Sequence, residues 1–418
     1  METINIPILT IGAGLAGTSF CIYLQSHLKK PKNSILIDSG CSNSILSDWD
    51  ILKTTKSELE LLLTKNNKIN HQDKFLKVFI DNYYKSLENI FSFGVKFFET
   101  DFSYSSKIRY PGKVILDYLK KQYTLNGGKI VEGYVNEILF DKNQNRIVGV
   151  IVKSGSKNIR INCGECIVAS GGLTNLMLYT TGNKQNIPNI PYLLYKAGVI
   201  LKEPCNNYFV PLVIFDKGIN GKPVPSIVKP HIKLINDNNT EIVGRNNITN
   251  MSHVELLRCL SKNINVNTYV SISMDKQTHK KYLDNDIDFK NVFIKHGLTE
   301  IKKLRVMPAF HYSIGGILKQ DIHGKTNIRN VYVIGECSYG LFKSDRTKAL
   351  ALLEAYIFGQ QTAEYILNKN RWDKIQDLKN CEYLTHNKLS LNIKEDVWKK
   401  SLGYFNTKEY DKMPFKNL

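Results

Sequence analysis

The sequence predicts an α/β fold: a doubly flanked sheet of the Rossmann type, an inserted α+β region, and a short helical tail. Two observations carry this. Residues 6–38 run strand, glycine turn, helix, strand, and residues 200–305 change to short strands joined by Asn-rich turns such as "NDNNTE". The first pattern is the fingerprint of a dinucleotide site, in its full context rather than as three isolated glycines. "IPILTI" is a short β-branched run. "GAGLAG" (Gly12, Ala13, Gly14, Leu15, Ala16, Gly17) is the turn, and "TSFCIYLQSHLKK" has helical spacing up to Pro31. Gly12 allows the tight turn, Gly14 lets backbone approach a pyrophosphate, and Gly17 allows close packing of the helix, whose N-terminus then faces the phosphates. "SILID" closes on Asp38, 21 residues after Gly17. A carboxylate there can accept a ribose hydroxyl.

The remaining elements follow in order. Residues 50–125 have helical spacing and many lysines. Residues 128–170 return to strands, with "DKNQNR" as a turn between a pair and "IVASGG" ending in small residues that let backbone lie against a ligand. Residues 306–366 resume the first domain, with the strand "NVYVIGE" and the long helix "TKALALLEAYIFGQQTAEYIL". The expected organisation is a nucleotide-binding domain in two parts, 1–190 and 306–366, an inserted domain at 191–305, and a polar helical tail at 367–418.

Composition narrows the class. A chain of 418 residues with 42% hydrophobic and 23% charged residues can bury a large core. It has no apolar run of about 18 residues, as a membrane helix needs. The N-terminus enters a strand without a basic region before it, unlike a signal peptide. Together with scattered cysteines, this predicts a cytoplasmic protein. Cys163 and Cys166 form a CxxC without a partner pair at zinc spacing, and read as structural. The net charge of +19 is spread along a lysine- and Asn-rich chain rather than gathered in a patch, so no nucleic-acid partner is expected. The charge would favour anionic substrates.

The stretch "HYSIGGILKQDIHGKTNIRNVYVIGECSYGLFKSDRTKALALLEAYIFGQQTAEYI" resembles the flavoprotein family of succinate dehydrogenase and fumarate reductase, and within it L-aspartate oxidase. The shared residues are His311, Tyr312, Gly315, Gly316, Tyr332, Gly335, Glu336, Gly340, Leu341, Arg346, Leu352, Leu353, Glu354, Phe358 and Gly359. Upstream, "GAGLAG", "CSNS", "IVASGG" with "YTTGN", and "HVELLRCL" with "TYVSISMD" also match. The resemblance covers about residues 6–366.

This resemblance implies noncovalent FAD, held by residues 12–17, Asp38, Ser39, Ser42, Asn43, Ser44, Ala169, Gly171, Glu336 on the ribityl chain, and the backbone of Ala351 and Leu352. It implies that 191–305 caps the flavin. It also implies oxidation of L-aspartate to iminoaspartate for nicotinamide cofactor synthesis, with oxygen or fumarate as acceptor. The alternatives are a soluble fumarate reductase or succinate dehydrogenase-like flavoprotein acting on another dicarboxylate, and a flavin-binding protein without catalysis. Arg346 would clamp a carboxylate with its planar fork, His311 would be a second donor, and Lys229 would move a proton. Departures are concentrated near the expected substrate. The family's Gln-Phe-His-Pro-Thr is "NYFVPLV" here, its Thr-Gly-Asp-Gly is "IPNIP", and the Arg of Arg-Gly-Glu-Gly falls at Val228 or Lys229.

Overall fold

The computed structural model describes the chain except residues 29–32, 48, 68, 71, 107, 109–110, 174–175, 187–188, 205, 217, 225, 245–246, 265–269, 274–302, 343–348, 370–371, 376–380 and 386–418. The chain divides into two units. The first is Met1–Leu173, Gln185–Asn206 and Ser313–Lys388; the second contains Thr174–Lys184 and Asn207–Tyr312.

The first unit is built on an eight-stranded sheet. Strand β1 (Glu2–Ile11) runs parallel to β2 (Ser34–Asp38) on one side and to Lys157–Val168 on the other. Helix α1 (Leu15–His27) connects β1 to β2. The strand Lys129–Glu132 extends the parallel part beyond β2, and Val331–Val333 pairs in parallel with Lys157–Val168. Parallel strands are covered on both faces, and β1 accordingly buries Ile8 and Leu9 completely. An antiparallel hairpin, Tyr134–Asp141 with Arg146–Ser154, pairs onward with Lys157–Val168, and "DKNQNR" is its turn.

The tail differs in part from the helical expectation. Glu382–Thr385 is a strand, antiparallel to Tyr134–Asp141. That hairpin leaves an open edge, and a strand satisfies its backbone groups where a helix could not. The rest of the tail beyond residue 385 lies outside the described residues.

Cys163 and Cys166 are wholly buried in the sheet core. A hydrogen bond with Cys163, then burial, hold the Cys166 thiol well above its ordinary range. Such thiols are packing residues, since reactivity needs the thiolate.

Unit 1 also buries an ion pair that composition gives no hint of. Lys319 Nζ lies 3.9 Å from Glu354 Oε1 and over the rings of Phe358 (4.6 Å) and Phe75 (4.9 Å). Burial pulls the Lys319 ammonium below its ordinary range, and Glu354 counters this. Removing one partner of such a pair strands the other charge. Glu354→Ala is therefore expected to cost about 3–5 kcal/mol in urea unfolding, and adding Lys319→Met should recover only part of the loss, because the Leu341 N–H that Glu354 accepts from stays unpaired in both variants. A double variant no more stable than Glu354→Ala would show that the charge is not what destabilises it.

The second unit carries a six-stranded sheet in the order Ile219–Pro223, Asn207–Asp216, Leu304–Ser313, Val270–Ser273, Lys233–Ile235, Glu241–Val243. Its pairs are antiparallel where the register is defined, and it has its own core, including Ile214, Leu234, Ile272 and Val306. The helix His253–Asn263 buries Leu256, Leu257 and Leu260. Among the described residues no helix is long and apolar enough to cross a membrane.

Candidate functional site

In unit 1 the glycine turn, the serine turn and the end of a strand converge. Gly12 has φ +106°, and a Cβ there would run into the Ala169 carbonyl. The end of Lys157–Val168 thus lies directly against the turn, and Ala169 N–H donates to Ile11 O at 2.8 Å. Gly14 is different: a Cβ would meet only the Ser42 and Ser44 hydroxyls, at 2.9 and 3.6 Å. Ser44 Oγ accepts from Leu15 N at 3.3 Å, and Ser42 Oγ accepts from Ser44 N at 3.2 Å. Helix α1 starts at Gly14 with no acid in its first turn, and Ser44 caps its first N–H. A helix N-terminus beside glycine backbone is a place for a phosphate.

Asp38 closes β2 as expected, but with a partner that the sequence did not reveal. Lys120 donates to Oδ2 at 2.6 Å, and Gly40 N–H donates to Oδ1 at 2.8 Å. Each carboxylate oxygen can accept again, so a ribose hydroxyl is still accommodated. Ser39 O accepts from the Cys41 thiol at 3.1 Å. Asn43 opens the short 3-10 helix Asn43–Leu46 that Ser42 caps.

Glu336 follows the strand Val331–Val333. Its Oε1 accepts from Ser313 N at 3.0 Å, and Ser313 Oγ accepts from Leu173 N at 2.9 Å. The preceding Gly335 faces the Ala16 methyl of α1, so Glu336 stands beside the glycine turn. The helix Leu350–Asn368 packs on α1 and on 335–337. Ala349, with φ +48°, opens it without a side-chain cap. Leu352 N–H turns back to Ala349 O at 2.9 Å. Leu341 N donates to Glu354 Oε1 at 2.6 Å and ties the 340–341 turn to this helix. Residues 12–17, Asp38, Ser42–Ser44, Ala169, Glu336 and Ala351–Leu352 thus all belong to one unit. The glycine turn with the starts of α1 and of the helix Leu350–Asn368 fits a dinucleotide with a pyrophosphate.

His311, in unit 2, lies on the strand Leu304–Ser313. Its Nδ1 is 2.6 Å from Thr181 Oγ1, and the backbone around Phe310 bonds Tyr179 and Thr181. Two residues that the sequence did not single out join it. Tyr208 meets His311 edge-on at 6.2 Å and stacks on His253 at 4.8 Å and 21°. Lys229 sits half-buried in the short helix Ser226–His231, its ammonium held below the ordinary range by burial. Arg346 lies outside the described residues. His253 was missed because it comes from a distant helix, although "SHVE" has the shape of a capping box and marks a helix start.

Fold and glycine turn together define an α/β protein of Rossmann type with an inserted second unit. The chain is 25% identical over 272 residues to an L-aspartate oxidase of Bacillus subtilis, covering 62% of this chain and 49% of that protein. It is 22% identical over 392 residues to the L-aspartate oxidase of Clostridium perfringens, 85% of each. It thus spans about half of the first relative's length and most of the second's. Among solved structures it superposes on Mycobacterium smegmatis Sdh1 with a TM-score of 0.75 at 14% identity, covering 90% of this chain and 71% of that one. The E. coli quinol fumarate reductase chain FrdA gives 0.71 at 15%, with 87% and 70% covered. No family model matches. The chain is thus similar in sequence, at 22–25% identity, to L-aspartate oxidases, and shares its fold with the fumarate reductase and Sdh1 chains.

Proposed function

We propose that the protein is an FAD-dependent oxidoreductase of the L-aspartate oxidase type, acting on a small dicarboxylate and passing electrons to oxygen or fumarate. The observation that supports the cofactor is the start of α1 at Gly14, with Gly12 against the Ala169 carbonyl and the Ser42 and Ser44 hydroxyls beside the turn. Bound FAD would supply hydride acceptance. The chain's residues hold and orient. Backbone N–H groups of α1 take the pyrophosphate, Asp38 takes a ribose hydroxyl, and Glu336 takes a ribityl hydroxyl. The N-terminal N–H groups near Ala351 and Leu352 favour negative charge on the ring system. His311, fixed by Thr181, donates to a substrate carboxylate, and Arg346 is the second clamp.

L-aspartate is the preferred substrate because the curated relatives carry that name. Acid precipitation of the purified protein is expected to release FAD into the supernatant, since the flavin-linking His of the dehydrogenases has no counterpart near "FSYSSKIRY". Colourless protein that takes up no added FAD would overturn the reading, and flavin retained in the pellet would overturn its noncovalent part.

A further inference from the structure

Asp38 does not stand free at the end of β2, because a lysine 82 residues further on holds it. We propose that Lys120 is the positioning residue for the ribose end of the dinucleotide. It aims Asp38 at the sugar diol, and so selects ligands that carry free ribose hydroxyls. The inference rests on the cofactor part of the reading above.

The ammonium has one defined place. Lys120 lies in the helix Pro111–Leu125, which is tied both to the serine turn and to β2. Near its start, Gly112 N–H donates to Ser47 O at 3.3 Å. Near its end, the Tyr123 phenol donates to Ser34 O at 3.2 Å, where β2 begins. Between these ties Lys120 donates to Asp38 Oδ2 at 2.6 Å, where β2 ends. The helix thus holds β2 at both ends. The Lys120 side chain is 19% exposed and that of Asp38 14%, so salt and solvent screen the pair weakly.

The pair also decides how Asp38 can bind. Gly40 N–H donates to the other oxygen, Oδ1, at 2.8 Å. With a donor on each oxygen the carboxylate plane is held against rotation. The acceptor positions that remain keep one direction, which suits two hydroxyls fixed on a sugar ring. Charge acts in the same sense. Glu132 is the partner of Asp38 on the neighbouring parallel strand, and an acid so placed repels it. Lys120 supplies the opposing cation. Without the ammonium, Asp38 would lose one anchor and keep its acidic neighbour, while the start of α1 would hold phosphate as before.

The test is calorimetric titration of the full-length chain, stripped of flavin, with FAD, ADP and 2′,3′-dideoxy-ADP. Wild type is expected to bind ADP about tenfold more tightly than the dideoxy compound, the worth of a hydrogen bond to a charged acceptor. Lys120→Met keeps most of the stem and removes the ammonium. It should weaken FAD and ADP by about tenfold and leave dideoxy-ADP within about twofold, which erases the preference. Lys120→Arg, which keeps the charge, should restore part of it. An equal loss for all three ligands would make the lysine only a brace for the helix and overturn the proposal. A preference for ADP that survives Lys120→Met would overturn it too. A wild type that binds ADP but no FAD would sink the flavin reading, and the ratio of ADP to dideoxy-ADP affinity would still decide the role of Lys120. A wild type that binds no nucleotide would overturn both.

Discussion

Gly14→Ala is expected to give a well-folded protein that has lost its flavin, whereas Gly12→Ala should fail to fold stably. The two glycines are two residues apart but face different surroundings. At Gly12 an added Cβ meets the Ala169 carbonyl, and φ is +106°. Neither the backbone carbonyl nor the dihedral can yield cheaply. A strained dihedral and a forced backbone shift each cost on the order of 1–3 kcal/mol, so the loss should be about 2–6 kcal/mol. At Gly14 the added methyl meets two serine hydroxyls, and turning them aside gives up their hydrogen bonds to Ser44 N and Leu15 N. Stability should fall by about 1–2 kcal/mol, less than at Gly12. The methyl nevertheless fills the approach to the pyrophosphate, and FAD affinity should drop about tenfold or more. Urea unfolding and flavin titration of the apoprotein read these separately. Gly14→Ala retaining wild-type FAD affinity would place the phosphates elsewhere.

The second large effect is expected at the carboxylate. If Arg346 is the proposed carboxylate clamp, Arg346→Ala should weaken dicarboxylate binding by about 2–5 kcal/mol, the worth of a bidentate charged partner. Arg346→Lys should recover only part, since an ammonium presents no planar fork. His311→Ala should cost less, as one donor held by Thr181 is removed. The measurement is anaerobic titration of the flavin spectrum with succinate and fumarate. Equal responses in wild type and both variants would mean that the pair does not form the site.

These cases show which parts of the molecule could be read from the sequence. The glycine turn was legible because local covalent geometry dictates it: φ at Gly12 and the helix start at Gly14 depend on neighbours a few residues away. The "DKNQNR" hairpin was legible for the same reason. Partners brought together by tertiary packing were not. Lys120 reaches Asp38 across 82 residues, and Thr181 reaches His311 across 130. His253 joins Tyr208 only because helix and strand pack together. Lys319 reads as one more surface lysine in a lysine-rich chain, yet it is buried between two phenylalanines against Glu354. The strand at Glu382–Thr385 was hidden by polar composition, because an edge strand is chosen by the sheet that needs a partner.

FAD-dependent oxidation of a small dicarboxylate, with L-aspartate first among the candidates, is the activity proposed for this chain. Its most direct test is anaerobic mixing of the FAD-loaded protein with L-aspartate, with succinate in parallel, while the visible flavin band is followed. The account predicts that L-aspartate bleaches the band, that iminoaspartate or its hydrolysis product appears in equal amount, and that oxygen or fumarate restores the colour. A band unchanged by either dicarboxylate, in protein shown to carry FAD, would contradict it and leave a flavin-binding protein without this catalysis.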